Sequence, residues 1–140
     1  MNEGTWQPEL DELRRRESLA EQLGGPDKVA RQHEFGKLTV RERVQRIVDD
    51  GTFWEIGKTA GVARYDDDGV LREFTPSNFV YGLAELDGRP AVVSGDDFTV
   101  RGGSNDASIS AKRVAAETMS LELRLPHVRL LDGMWVRPWL

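Results

Sequence analysis

The stretch AVVSGDDFTVRGGS, residues 91–104, says more about the fold than any other part of this sequence. A short apolar run ends in two aspartates, a second apolar run follows, and Gly102-Gly103-Ser104 then opens a segment of helical period. This order predicts a strand, a tight loop and a helix start. Paired glycines let a backbone approach a ligand closely, and the free N–H groups of a helix start favour anionic or carbonyl oxygens. Gly102, Gly103 and Ser104 are therefore candidate ligand-binding residues, although a glycine pair before a helix is also ordinary turn chemistry.

The segments on either side of this stretch predict a mixed α and β fold. Upstream, the apolar runs 79–86 and 90–94 are joined by Asp87-Gly88-Arg89, which indicates a β-hairpin. Downstream, residues 104–124 have helical spacing, and a further apolar run follows at 128–131. A strand, a helix and a strand in this order favour parallel pairing through a right-handed crossover.

The first fifty residues predict helices over 8–23, 27–33 and 40–49. Thr39 and Glu42 have the spacing of a capping box, in which each side chain accepts the other residue's N–H. These helices are charged and contain few apolar residues, so we expect them to form arms that pack against another surface instead of building a core of their own. From Phe53 onward the period changes to short β-type runs separated by glycine and aspartate.

Composition limits the function classes. The chain has 140 residues, is 39% hydrophobic and 31% charged, carries a net charge of −5 and contains no cysteine. Its length fits one domain, and its acidity with scattered Lys and Arg argues against nucleic acid as a partner. Without cysteine there is no disulfide framework or thiolate metal site. No apolar run is long enough to span a bilayer and no signal peptide is evident, so we expect a cytoplasmic protein without membrane association.

Two acidic groups and the two histidines are weaker candidates. Asp96 and Asp97 could form an acid–base pair, but neighbouring strand residues point to opposite faces. Residues 66–69 start like a calcium loop but lack the later ligands, so a solvated turn is preferred. His33 and His127 have no partners of metal-ligand spacing and are read as surface or structural histidines. No catalytic or metal-ligating residue is assigned.

Three arginines on the third predicted helix are further binding candidates. Arg41, Arg43 and Arg46 could meet phosphates or a partner subunit, whereas a charged helix face is more commonly just solvated.

Taken together, three blocks resemble a known family. They are LRRRESLAEQLGGPDKVARQHEFGKLTVRERVQRIVDDGTFWEIG (13–57), VYGLAELDGRPAVVSGDDFTVRGGS (80–104) and PHVRLLDG (126–133). Their order and spacing resemble the N-terminal part of the carboxyltransferase β subunit of biotin-dependent acyl-CoA carboxylases, of the propionyl-CoA and methylcrotonyl-CoA carboxylase type. The resemblance implies an incomplete crotonase-like domain of repeated ββα units with N-terminal helical arms.

The resemblance also implies a reaction and partners. A carboxyl group would pass from carboxybiotin, carried on a partner protein, to a short-chain acyl-CoA. Gly102, Gly103 and Ser104 would contact the acyl-CoA, with no cofactor bound by this chain itself. A biotin carboxylase or biotin carrier subunit and other copies of the chain, in a homo-oligomer, would be the partners. Acetyl, propionyl and longer branched acyl groups all fit this resemblance.

The family pattern stops at Gly133. A glycine-rich oxyanion loop and a second domain follow in the family, whereas MWVRPWL, residues 134–140, does not match them. We therefore expect an arm over 1–50, the first part of the carboxyltransferase domain over 51–133, and a tail over 134–140. The alternative expectation is a truncated, catalytically inactive fragment that at most binds CoA or associates with other subunits.

Overall fold

A computed structural model describes residues 4–103 and 107–133, without the side chains of 107–109. Its helices are α1 (Gln7–Glu21), α2 (Pro26–Glu34), α3 (Val40–Ile47) and α4 (Ala107–Leu123). Its strands are β1 (Trp54–Glu55), β2 (Gly61–Tyr65), β3 (Leu71–Pro76), β4 (Phe79–Leu86), β5 (Arg89–Asp96) and β6 (His127–Leu130). A four-stranded sheet has the order β1-β4-β5-β6, and β2 and β3 form a separate antiparallel pair.

The predicted hairpin and the predicted crossover unit are both present. Strands β4 and β5 pair antiparallel, from Phe79 opposite Asp96 to Leu86 opposite Arg89, across a two-residue turn. Strands β5 and β6 pair in parallel with α4 between them in the chain. The carboxyl ends of β5 and β6 therefore meet at one edge of the sheet, next to the loop that leads into α4.

The predicted capping box at the start of α3 is confirmed. The Thr39 N–H donates to Glu42 Oε2 at 2.7 Å, and the Glu42 N–H donates to Thr39 Oγ1 at 3.3 Å. This cap fixes the helix so that Val44 packs with Ala84 and Val93 of the sheet. Helix α3 thus lies on one face of the four-stranded sheet.

Helix α4 lies on the opposite face. Its Ala116 is fully buried and packs with Phe79 and Tyr81 of β4. Met119 joins this cluster, whereas Leu123, one helical turn further along, is 50% exposed. The last turn of α4 is left partly uncovered by the described residues.

The expected division at residues 50 and 133 stays a prediction, and the expected tail over 134–140 lies outside the described residues. In the part of the chain that the structure describes, no helix combines the length and apolar content that crossing a bilayer requires.

Candidate ligand-binding site

The glycine pair forms a left-handed turn just before α4. Arg101, Gly102 and Gly103 have successive φ angles of 52°, 60° and 66°, a left-handed conformation that strongly favours glycine. The Gly103 N–H donates to the Val100 carbonyl at 3.1 Å. A Cβ at Gly103 would lie 2.7 Å from the carbonyl oxygen of Asp132, so any side chain here would displace the backbone. The turn before α4 therefore touches the segment that follows β6.

Helix α2 holds that segment in place. Gln32 is 5% exposed, and its Nε2 donates to Asp132 Oδ2 at 3.1 Å. Lys37 Nζ lies 3.6 Å from Asp132 Oδ1. The Gln32 amide and the Lys37 ammonium thus both bind Asp132, and they hold the segment that follows β6 against the Gly103 turn.

A second set of hydrogen bonds joins the loop after α1 to the loop after β5. Asp97 is 1% exposed and accepts from both the N–H and the hydroxyl of Thr99, at 2.9 and 2.6 Å. The Gly24 N–H donates to the same Thr99 hydroxyl oxygen at 2.8 Å. An added Cβ at Gly24 would lie 2.1 Å from the Thr99 carbonyl oxygen, so the two backbones need a glycine where they meet. Burial raises the pKa of Asp97, although its hydrogen bonds from Thr99 oppose that shift.

Between α2 and this loop lies a cavity of about 360 Å³, which we call the basic groove. It combines three cationic side chains, two aromatic rings, two neutral polar side chains and one glycine of the turn: Lys28, Arg31, Arg101, Phe35, Phe98, Gln32, Thr99 and Gly102. Phe35 is 69% exposed and Phe98 is 39% exposed, so part of each ring is accessible to solvent. The Arg31 guanidinium lies 5.8 Å from the centre of the Phe35 ring.

The groove continues into a second cavity of about 400 Å³. Lys28 and Arg101 line both cavities, and the second one extends along the turn after α1 to residues 73–76 of β3, where Glu73 adds one carboxylate to its lining. An elongated ligand could therefore run from the two phenyl rings, past Lys28 and Arg101, to the end of β3.

The chemistry of the basic groove suits an elongated anion with a flat ring. Lys and Arg bind phosphate oxygens as charge-assisted hydrogen-bond donors. Exposed phenyl rings offer a surface on which a heterocyclic base can stack. The first cavity has no carboxylate in its lining, so a phosphate would meet no like charge there.

Of the predicted binding residues, Gly102 lines the basic groove. Gly103 is the next residue of the same turn and lies against the backbone of Asp132. Ser104 lies outside the described residues. Whether the three contact a ligand stays a prediction.

The arginines considered from sequence lie elsewhere. Arg41 makes two hydrogen bonds to Glu55, at 2.6 and 3.0 Å, and Arg43 lies 3.5 Å from the Leu131 carbonyl. Neither lines the basic groove, nor does Arg46. The cationic residues that do line the basic groove were not predicted from the sequence. A pattern that could have indicated them is present, because Lys28, Arg31 and Phe35 have the i, i+3, i+7 spacing that places side chains on one face of a helix.

The remaining candidates from the sequence do not join the groove. Asp96 contacts Arg113 of α4 at 2.9 Å, away from the Thr99 contacts of Asp97, so the two carboxylates do not act as a pair. Asp66 accepts the backbone N–H groups of residues 68 and 70, at 3.1 and 2.8 Å, within a turn.

The histidines each bond to one neighbour. His127 Nε2 lies 2.8 Å from Ser94 Oγ, and burial lowers the pKa of this ring. His33 Nε2 lies 2.9 Å from Glu42 Oε2. Within the described ranges, no three His, Asp or Glu side chains gather in a group that could hold a metal ion.

A family model described as the carboxyl transferase domain matches residues 31–135, which is most of the chain. The chain belongs to the carboxyl transferase domain family. Members similar to it include the propionyl-CoA carboxylase carboxyltransferase subunit of Haloferax mediterranei, 32% identical over 133 residues that cover 95% of this chain and 26% of that protein. The biotin-dependent 3-methylcrotonyl-coenzyme A carboxylase beta1 subunit of Mycobacterium tuberculosis is 32% identical over 113 residues, 79% of this chain and 20% of that protein.

Solved structures of the family share the fold. The transcarboxylase 12S structure, a hexamer with methylmalonyl-coenzyme A and methylmalonic acid bound, superposes with a TM-score of 0.79 at 28% identity. The match covers 96% of this chain and 26% of that one. The expected mixed α and β, crotonase-like fold is confirmed, and the chain spans about a quarter of the length of the curated relatives it matches.

Proposed function

We propose that this chain is the acyl-CoA-binding part of a carboxyltransferase component of a biotin-dependent acyl-CoA carboxylase. The observation that carries the proposal is the basic groove, because it runs up to the Gly102–Gly103 turn in a chain of this family. In the whole enzyme, carboxybiotin on a partner carrier protein supplies the carboxyl group, and the α-carbon of a short-chain acyl-CoA receives it.

Several residues of this chain have roles in the proposed binding of CoA. Lys28, Arg31 and Arg101 bind the phosphates of CoA as charge-assisted donors, and Phe98 or Phe35 stacks on the adenine ring. The turn at Gly102–Gly103 exposes backbone to the pantetheine arm or the thioester, with Ser104 as its third member. The biotin carboxylase and carrier subunits, and other copies of this chain, are the proposed partners.

Binding without carboxyl transfer is the second candidate function. It is favoured by one observation: among the described residues, all those that line the two cavities lie between positions 19 and 102. A carboxyl-transfer assay with a carboxybiotin-loaded carrier protein and propionyl-CoA distinguishes the two candidates. Formation of a carboxylated product by the chain contradicts the binding-only function.

The binding step is tested by calorimetric titration of the 140-residue chain with propionyl-CoA. We expect saturable binding that the double substitution Lys28→Glu/Arg31→Glu weakens at least about tenfold, since each charge-assisted contact is worth about 1.5 to 3 kcal/mol. The matched control is Arg14→Glu/Arg15→Glu on α1, which makes the same change in net charge outside the groove. Equal weakening by both double variants would indicate a general charge effect and would contradict the proposed site.

A further inference from the structure

Helix α1 and the residue before it carry a row of large apolar side chains that face solvent. Trp6, Leu10 and Leu13 have the i, i+4, i+7 spacing that places side chains on one face of a helix. Trp6 is 77% exposed, Leu10 is 44% exposed and Leu13 is 45% exposed. We call these three residues the α1 stripe. A contiguous row of exposed apolar side chains is typical of a surface that binds another protein.

The neighbouring side of α1 already packs on its own chain. Glu12 accepts a hydrogen bond from the Tyr65 hydroxyl of β2 at 2.7 Å, and the Arg16 guanidinium lies 5.6 Å from the centre of the Tyr65 ring. Further along the same side, Ala20 is buried. The α1 stripe therefore lies beside the contact that holds α1 in place, and the described residues leave the stripe facing solvent.

The charges of α1 are separated by sign along the helix. Acidic side chains occupy its first half and basic side chains follow directly: Glu9, Asp11, Glu12, Arg14, Arg15 and Arg16. If two copies of this helix lie antiparallel, the acidic half of each copy meets the basic half of the other, and the opposite charges attract. Glu9 and Arg16 are seven residues apart and lie on the same flank of the stripe, so Glu9 of one copy comes opposite Arg16 of the other.

A parallel pair is disfavoured by Glu17, which continues the stripe one turn after Leu13. In a parallel pair, Glu17 would face Glu17 of the second copy inside the contact, and two carboxylates without a cation would be brought together. In an antiparallel pair, Leu10 and Leu13 of the two copies meet at the centre. Glu17 then lies beside Trp6 of the other copy, at the edge of the contact, where its carboxylate reaches water.

We propose that the α1 stripe binds the α1 stripe of a second copy of this chain, with the two helices antiparallel. The inference rests on the proposed function only in taking another copy of the chain as a partner, and it does not depend on CoA binding in the basic groove. The contact is about three helical turns long and buries less than the roughly 1,200 Å² of a standard interface. We therefore expect a weak dimer, with a Kd of roughly 10 to 100 μM.

Sedimentation velocity of the 140-residue protein, from about 1 to about 300 μM, measures this dimer. Leu10→Asp places a charge at the centre of the contact and should raise the Kd at least about tenfold. The matched control is Leu121→Asp on α4, which makes the same change at a residue that is 79% exposed and should leave the Kd unchanged. Circular dichroism establishes that both variants remain folded.

The orientation is tested by disulfide formation, because the chain contains no cysteine. In the antiparallel pair, position 6 of one copy lies opposite position 17 of the other. Two Trp6→Cys chains would hold their cysteines about 16 Å apart, the helical rise from position 6 to position 17, which is too far for a disulfide. We expect a cross-linked dimer when Trp6→Cys and Glu17→Cys are mixed under mild oxidation. Cross-linking of either variant by itself would indicate a parallel pair and would overturn the proposal.

The charge pairing has its own variant. Glu9→Arg leaves the α1 stripe intact and brings a second positive charge opposite Arg16 of the other copy, so it should raise the Kd about threefold or more. An unchanged Kd would contradict the pairing of Glu9 with Arg16. A parent chain that stays monomeric up to about 300 μM would overturn the proposal. Equal weakening by Leu10→Asp and Leu121→Asp would also overturn it, because a general effect of charge would then explain both.

Calorimetric titration separates this inference from the proposed function. The α1 stripe lines neither cavity of the basic groove, so Leu10→Asp should bind propionyl-CoA with the affinity of the parent chain. A parent chain that dimerises through the stripe but binds no propionyl-CoA would support the dimer and count against the proposed function alone.

Discussion

The two faces of the four-stranded sheet are covered by different kinds of side chain. On the α3 face, Val44 packs on Ala84 and Val93 in a cluster made of aliphatic and aromatic residues. On the α4 face, buried charges lie beside the aromatic pair Phe79 and Tyr81. One sheet thus carries an apolar core on one side and a buried polar network on the other.

The polar network is centred on one carboxylate. Asp96 is 3% exposed and lies 2.9 Å from Arg113 and 3.9 Å from Arg129. Both guanidinium groups also lie over the Phe79 ring, at 5.2 and 5.8 Å from its centre. Burial of apolar area stabilises the α3 face without directional demands, whereas the α4 face depends in addition on its buried charges remaining paired.

Breaking the buried pair should have the largest effect. In Asp96→Asn, Arg113 loses the one carboxylate that pairs with it among the described residues and keeps its charge in a largely buried position. We expect the free energy of unfolding to fall by about 3 to 5 kcal/mol, as when one member of a buried ion pair is removed. Urea denaturation measures this loss. Glu117→Gln is the control, because Glu117 is 63% exposed and 3.7 Å from Arg129; a loss as large as that of Asp96→Asn would refute a network centred on Asp96.

A truncation on the α3 face should cost less. Val44 is 1% exposed, and Val44→Ala removes two methyl groups from the apolar cluster. We expect a loss of about 2 kcal/mol from transfer and cavity terms together. The control is Val114→Ala on α4, which is 58% exposed and should change stability by less than about 0.5 kcal/mol in the same urea titration. Equal losses would contradict the burial of Val44 in the apolar cluster of the α3 face.

A single neutral hydrogen bond on the α4 face gives a smaller effect. Ser94 is fully buried, and Ser94→Ala removes the partner of His127 Nε2 with little change in shape. We expect a loss of about 1 kcal/mol in chemical denaturation. No measurable change would mean that water replaces the serine hydroxyl and that this part of the network contributes little.

The same pair should make the α4 face sensitive to acid. Burial lowers the pKa of His127 below its ordinary value of 6.5, with Glu117 opposing and Arg129 reinforcing the shift. The unfolded chain therefore binds a proton at higher pH than the folded chain, and stability is lost as pH falls through the unfolded value. In His127→Gln this loss is absent, so the stability difference between variant and parent should move in favour of the variant from pH 7 to pH 5. A pH-independent difference would refute the burial argument.

Local sequence signals predicted much of this fold. The Thr39–Glu42 cap, the hairpin turn at Asp87–Gly88 and the strand–helix–strand order depend on residues close in the chain, and the structure has all three. The Gly102–Gly103 turn was found for the same reason, because successive glycines are readable without knowing the fold.

The site was harder to predict because it depends on contacts between distant segments. Arg101 and Lys28 share both cavities only because Gly24 docks on Thr99, 75 positions later in the chain. From the sequence, Arg41 is as good a candidate for phosphate binding as Lys28. In the structure its guanidinium donates to the Glu55 carboxylate, and no local sequence pattern predicts that ion pair. Charge on a helix face therefore does not by itself identify a binding residue, because a carboxylate from another segment can engage it, as Glu55 engages Arg41.

The basic groove lies on a chain whose net charge is −5. An anion at a distance is repelled by the whole molecule, and it is attracted only within about one Debye length of the groove, about 10 Å at 0.1 M salt. Added salt therefore screens the long-range repulsion during encounter as well as the short contacts in the complex. The consequence is kinetic: ionic strength should shorten the lifetime of a bound anion more than it slows its arrival.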